Sequence, residues 1–172
     1  MPASYQPHTR DDDPEHTVSQ SLETNLRAAD LTVRHLIDQK GRAVFSTSAD
    51  ETIGTVVRLL RDNDIGAVMV LDAQSSLVGI LSERDIVRRL ADTPGQTLPQ
   101  TVAELMTRNV ETCTLDDLLV SVLRRMTDGR FRHMPVMENG AVIGLISVRD
   151  VVRYRLTALE YEALQLKQLI VG

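Results

Sequence analysis

The chain writes one pattern twice. "GILSERD" fills residues 79–85 and "GLISVRD" fills residues 144–150, so Gly79, Ser82 and Asp85 recur 65 residues later as Gly144, Ser147 and Asp150. Upstream the offset is 66. "SADETIGTVVRLLRDNDIGAVMV" from Ser48 lies opposite "TLDDLLVSVLRRMTDGRFRHMPV" from Thr114, and Val44 lies opposite Val110. The one-residue slip falls where "DAQSS" faces the shorter "ENGA", both turn-like. Leu36 stands 69 residues before Leu105, which puts three surplus residues in "DQKG", again a loop. Length changes confined to loops leave the elements in step, so two like units must form.

Each copy has the same order of elements. A short strand near Val44 to Ser46, or Val110 to Cys113, leads to an acidic helix start at Asp50 or Asp116, where negative charge suits unpaired backbone N–H groups. Ile53, Val56, Val57 and Leu60 then mark one helical face, as do Leu119, Val122, Leu123 and Met126 in the second copy. Two strands follow, "GAVMVL" and "SLVGIL", then "RHMPVM" and "AVIGLI", joined by turns of hairpin length. A second helix begins at Glu83 and at Val148. The expected fold class is α/β (α+β), built from two pseudo-symmetric strand-helix-strand-strand-helix repeats. A unit this small cannot cover its own sheet, so the two should pack sheet to sheet. The divisions are a mobile tail over residues 1–30 with helical spacing from about residue 18, a first repeat over 31–93, a second over 94–156, and a C-terminal helix over 148–171.

The 172 residues suffice for such a pair but not for an added catalytic domain. A net charge of −5 argues against general affinity for nucleic acid, so any anion site must be a local basic cluster. No apolar run reaches the roughly 18 residues of a membrane span. The single cysteine, Cys113, excludes an internal disulfide and reads as a small apolar strand residue. The start "MPASYQPHTRDDDPEHT" lacks the basic-then-apolar order of a secretion signal, so the expected compartment is the cytoplasm. His8 and His16 there read as solvated.

A Ser three residues before an Asp at a strand-to-helix junction is a capping box: Ser82 accepts from the Asp85 N–H while the carboxylate reaches back. Two further features point to a ligand. Gly79 and Gly144 lie inside strands, where glycine accommodates a bulge or the close approach of another group. A helix start with free N–H groups and a hydroxyl attracts phosphate, and a carboxylate accepts from the two adjacent hydroxyls of a ribose. That spacing suits a nucleoside monophosphate. Capping and ligation are compatible.

The duplicated unit, with G-h-h-S-x-x-D closing its last strand and "RFRHMPV" on the strand before, resembles a tandem pair of CBS domains, the Bateman module, over Leu31 to Leu156. It is most similar to the stand-alone CBS-pair proteins of bacteria and their plant organellar relatives. The resemblance implies an adenine nucleotide as ligand at Ser82, Asp85, Ser147 and Asp150: AMP, with NAD(H) or ATP as other candidates. It also implies that Arg132 and His133, opposite Gly66 and Ala67 of the first copy, reach the phosphate of a nucleotide whose ribose Asp85 holds, joined by Arg149. The converse site of Ser147 and Asp150 with Arg84 lacks such charges and is expected to be weaker. The base would lie near Val110 and Thr112 in one site, and near Val44 and Ser46 in the other. A plain basic strand end is the competing account of Arg132 and His133; a titrating His133 at phosphate would make binding pH dependent.

After Asp150 the chain runs without Gly or Pro to its last residue, with Val152, Leu156, Leu159, Ala163, Leu166 and Ile170 at alternating four- and three-residue spacing. This heptad seam suits a homodimer, or else a fold-back on the chain's own core; Leu22, Leu26, Ala29 and Val33 repeat the spacing upstream. No nucleophile-base set, HExxH or phosphate loop is present, and no metal site is expected. The chain therefore reads as a nucleotide-sensing regulatory module acting on a partner protein rather than an enzyme. A structural dimerisation adaptor with vestigial sites is the alternative.

Overall fold

The computed structural model describes residues 27–171. The expectations for His8, His16, Leu22, Leu26 and the acidic run Asp11 to Asp13 lie outside the described residues. The elements are α1 (Val33–Lys40), β1 (Ser46–Thr47), α2 (Ile53–Asn63), β2 (Ala67–Leu71), β3 (Leu77–Ser82), α3 (Glu83–Asp92), α4 (Val102–Leu105), β4 (Cys113–Thr114), α5 (Leu119–Gly129), β5 (His133–Glu138), β6 (Ala141–Ser147) and α6 (Val148–Val171). Two three-stranded sheets run β1-β2-β3 and β4-β5-β6, each with a parallel first pair and an antiparallel second pair. Even the bulges match, between Val70 and Leu71 and between Val136 and Met137.

Most of the periodicity acts as expected: Ile53, Val56 and Leu60 are buried on α2, and Leu119, Val122 and Met126 on α5, with Leu123 packed partly buried against them, whereas Val57, read onto the same face, lies at its edge and is 37% exposed. Strand β2 is buried at four successive positions, Ala67 to Val70. A central strand covered on both faces carries a continuous apolar run rather than an alternating one.

Local details differ from the sequence expectation. The first strands are two residues each, so Val44, Val110 and Thr112 lie outside them. Helix α2 starts after Thr52, whose hydroxyl accepts from Thr55 N–H, and α5 starts after Leu118, not at Asp50 or Asp116. Asp116 instead pairs with Arg34 at 2.9 Å, and Asp117 accepts from the Thr114 N–H at 3.0 Å. These two carboxylates are engaged before α5 begins, while its start has no side-chain cap and the Leu119 N–H donates to Leu31 O.

The helices leading into the repeats are crossed. Leu31, Val33, Leu36 and Ile37 enter the core of the second repeat with Leu119, Val122, Met134 and Ile146. Val102 and Met106 join Ile53, Val56, Val68 and Leu81 in the first. Main-chain bonds strap each crossing: Val33 N to Asp117 O and Leu119 N to Leu31 O on one side, Ile53 N to Gln100 O and Val102 N to Glu51 O on the other. The strand glycines make room for these crossings. A Cβ on Gly79 would lie 2.6 Å from Met106 Sδ and 3.2 Å from Thr107 O; one on Gly144 would lie 3.1 Å from Ile37 Cδ1. The close approach read from the sequence is thus made by the chain's own helices.

Cys113 is buried, its thiol pushed up to about 12 by desolvation, and it donates weakly to Pro135 O at 3.7 Å. Helix α6 packs through Val151, Tyr154 and Ala158 on the second core. Beyond that point its apolar residues are exposed, from Leu159 at 46% to Ile170 at 83%.

Candidate functional site

Both Ser-x-x-Asp motifs form reciprocal caps. Asp85 Oδ2 accepts from the Ser82 hydroxyl at 2.6 Å and the Ser82 N–H at 3.0 Å, while the Asp85 N–H donates to Ser82 Oγ at 3.3 Å. The corresponding distances for Ser147 and Asp150 are 2.9, 2.8 and 3.1 Å. In each, one carboxylate oxygen carries both capping bonds. Oδ1 of Asp85 makes no hydrogen bond to a described residue and can accept from a ligand.

Ser82, Arg84, Asp85, Val110, Arg132 and His133 line one cleft of about 710 Å³, with Ile80, Thr107, Asn109 and Arg130. Residues from both repeats meet because β2 and β5 begin side by side: a Cβ on Gly66, just before β2, would lie 3.2 Å from Nε2 of His133, the first residue of β5. A main-chain bond within each repeat ties its helix start to the strand beside the junction, Glu83 N to Gly66 O at 3.0 Å and Val148 N to Arg132 O at 2.9 Å. Arg84, expected with Asp150, therefore lies in the Asp85 cleft, its Nη1 donating to Arg130 O at 3.5 Å. Thr112 and Arg149 are not among the lining residues of this cleft. The Thr112 carbonyl accepts from Arg125, and Arg149 is exposed on α6.

The cleft is rich in arginine. Arg125 is committed to Glu111 and Asp117, at 2.8 and 3.5 Å. Arg88, Arg130 and Arg132 also belong to the site or its rim, and none forms an ion pair with another described residue. Residue order concealed Arg88 and Arg130. Arg88 follows Asp85 by about one helical turn on the same face of α3, and Arg130 occupies the left-handed helix stop (φ 57°) where the first copy has Asp64 (φ 51°). His133 is half-buried between the two motifs. Desolvation holds its imidazolium below the usual 6.5, with Lys40 and Arg132 pressing the same way and Asp150 and Asp85 opposing. It is neutral at pH 7, so the fixed positive charge comes from the arginines.

The second motif has a different neighbourhood. Lys40 Nζ lies 2.6 Å from Asp150 Oδ2 and donates to Leu145 O at 2.8 Å. Burial alone would raise the Asp150 carboxyl, but the bonds from Lys40 and Ser147 outweigh it and hold the group below its usual 3.8. The adjoining hollow, lined by Leu36, Gln39, Lys40, Asp150, Arg153, Tyr154 and Thr157, measures about 250 Å³. Ser147 is not in its lining, and Val44 and Ser46 line neither hollow. Among the described residues no group of three or more His, Cys, Asp or Glu could hold a metal, and no helix is long and apolar enough to cross a membrane.

Two like units with crossed lead-in helices, and a charged cleft at the capped Ser82 and Asp85 motif lined by both units, define a tandem-repeat module with a ligand-sized cleft. The CBS domain family model matches residues 40–92 and 102–157, and the chain belongs to that family. The CBS-domain containing protein ATU1752 from Agrobacterium tumefaciens has a similar structure, 42% identical, with a TM-score of 0.71 over 73% of this chain and 99% of that one. The CBS pair of MJ0100, in complex with 5′-methylthioadenosine and S-adenosyl-L-methionine, is 25% identical, with a TM-score of 0.64 over 72% and 94%. The mitochondrial CBS domain-containing protein CBSX3 of Arabidopsis thaliana is 28% identical over 130 residues, 71% of this chain and 63% of the relative. An uncharacterized 17.7 kDa protein of Acidianus ambivalens is 31% identical over 111 residues, 64% of this chain and 66% of its own. The chain thus spans about two thirds or less of the length of these curated relatives.

Proposed function

We propose that the chain is a regulatory module whose Ser82 and Asp85 cleft binds an adenine nucleotide, AMP foremost, with NAD(H) or ATP as the other members of the class. The observation that carries this is the convergence of one carboxylate with a free oxygen, Asp85, and unpaired arginines from the opposite repeat, Arg130 and Arg132, on one cleft. Ribose hydroxyls donate to Asp85, phosphate lies toward Arg132, His133 and the α3 start, and the base rests near Val110. The adenosine ligands of MJ0100 support the class. Occupancy acts by linkage: a ligand touching both repeats favours the arrangement in which both reach it, and thereby the surface offered to a regulated protein.

The same reading includes a homodimer through α6. Its apolar stripe continues past the core it covers, with Leu159, Leu166 and Ile170 exposed, and a lone helix segment of that length is marginal in water. A dimerisation adaptor without ligand is the second reading, favoured by this stripe alone. Calorimetric titration of the full chain with AMP, ATP, NADH and S-adenosyl-L-methionine decides between them. Saturable binding by one of them is expected; failure of all four leaves the adaptor.

A further inference from the structure

The two clefts differ by more than the residues on β2 and β5. In the first repeat the Ile80 carbonyl is satisfied by the main chain, Thr107 N donating at 2.9 Å. The corresponding carbonyl in the second repeat, Leu145, receives the Lys40 ammonium at 2.8 Å. That ammonium also holds Asp150 at 2.6 Å, on the oxygen that already takes both capping bonds. Asp85 has no cationic partner within 4.0 Å among the described residues.

The origin of this difference is visible in the repeat. The first copy has three surplus residues in "DQKG", and its lead-in helix α1 has 8 residues against 4 in α4. The extra turn carries the chain across the mouth of the second motif and delivers Lys40. Ile37, one turn earlier, is buried against Gly144, so the helix end is anchored and cannot swing freely.

We propose that Lys40 is the specificity-determining residue that makes the two pseudo-equivalent motifs unequal, its ammonium offsetting the Asp150 charge at the mouth of the second motif so that nucleotide is received at Asp85 alone. Asp150 Oδ1, like Asp85 Oδ1, has no partner among the described residues, but a hydroxyl donated to it meets a carboxylate whose charge the Lys40 ammonium already offsets, whereas the charge of Asp85 is offset by no such cation. The assignment rests on the nucleotide reading of the first cleft, and its tests separate the two.

Calorimetry of the full chain with AMP is expected to give one site per chain for the wild type and for Lys40→Arg, and a second, weaker site besides the first for Lys40→Met, which keeps the aliphatic stem. Adding Asp150→Asn to Lys40→Met returns the count to one. A single site in Lys40→Met, or two in the wild type, overturns the proposal. The contact itself is read without nucleotide, by mass spectrometry of Lys40 acylation with an N-hydroxysuccinimide ester. Lys40 is expected to react about tenfold faster in Asp150→Asn than in the wild type. Equal rates overturn the proposal even if AMP binds. Absence of AMP binding with the rate difference intact removes the nucleotide reading and leaves Lys40 as the cation that holds Asp150.

Discussion

Asp85 carries two loads, and replacing it by alanine separates them. The first is structural: its carboxylate accepts from the Ser82 hydroxyl at 2.6 Å and the Ser82 N–H at 3.0 Å, and loss of such a cap costs about 1 kcal/mol. In a chain of this size that lowers Tm by roughly 2–4 °C. The second load is the proposed ribose contact, made by the other carboxylate oxygen. A hydrogen bond to a charged group contributes about 1.5–3 kcal/mol, and the half-exposed setting favours the lower end, so AMP affinity should fall about tenfold or more. Asp150→Ala is the control: it removes a like cap together with the Lys40 bond and so lowers Tm at least as much, but Lys40 already offsets that carboxylate, so affinity should stay within about twofold. Thermal unfolding and calorimetry on the same three proteins supply both readings. Equal affinity losses in Asp85→Ala and Asp150→Ala would refute the unequal-site reasoning, and a Tm drop without affinity loss would reduce Asp85 to a cap.

Ile37→Ala should destabilise the chain by about 2–5 kcal/mol in urea unfolding, because a side chain 1% exposed leaves a cavity in the second repeat's core; a loss under about 0.5 kcal/mol would show that α1 is not part of that core. His133 has a folded value below its usual 6.5, so its contribution to stability is full above that pH and lost as pH falls through the lower folded value. AMP affinity should rise over the same descent, as the imidazolium forms beside phosphate, and His133→Gln should flatten the profile measured between pH 7.5 and 5.5; an unchanged profile refutes the contact. Cys113, buried and pushed up to about 12, should alkylate with iodoacetamide only on unfolding; modification at the rate of a free thiol in the native protein would contradict its burial.

Much of the architecture was legible from residue order because it depends on local periodicity. The apolar spacing of Ile53 to Leu60 and of Leu119 to Met126 specifies helices wherever they pack, and the β-branched runs specify strands. The Ser82 and Ser147 caps span three residues and need nothing distant. Asp50 and Asp116 misled: neither caps its helix, because a hydroxyl can take the cap and a distant cation the carboxylate. Helix α2 is capped by Thr52 instead, and Asp116 turns to Arg34, which only the folded chain brings near. Arg84 misled for a related reason: its direction depends on how α3 meets the opposite repeat.

The sequence by itself determined that there are two like units, what elements each contains, and where their capped motifs fall, since duplication and period are properties of residue order. Only the tertiary structure decided which helix covers which core and why Gly79 and Gly144 have no side chain. It alone set a lysine from the first copy on the carboxylate of the second. Lys40 and Asp150 stand 110 residues apart, and no local pattern encodes a contact whose geometry comes from the path of the chain between them.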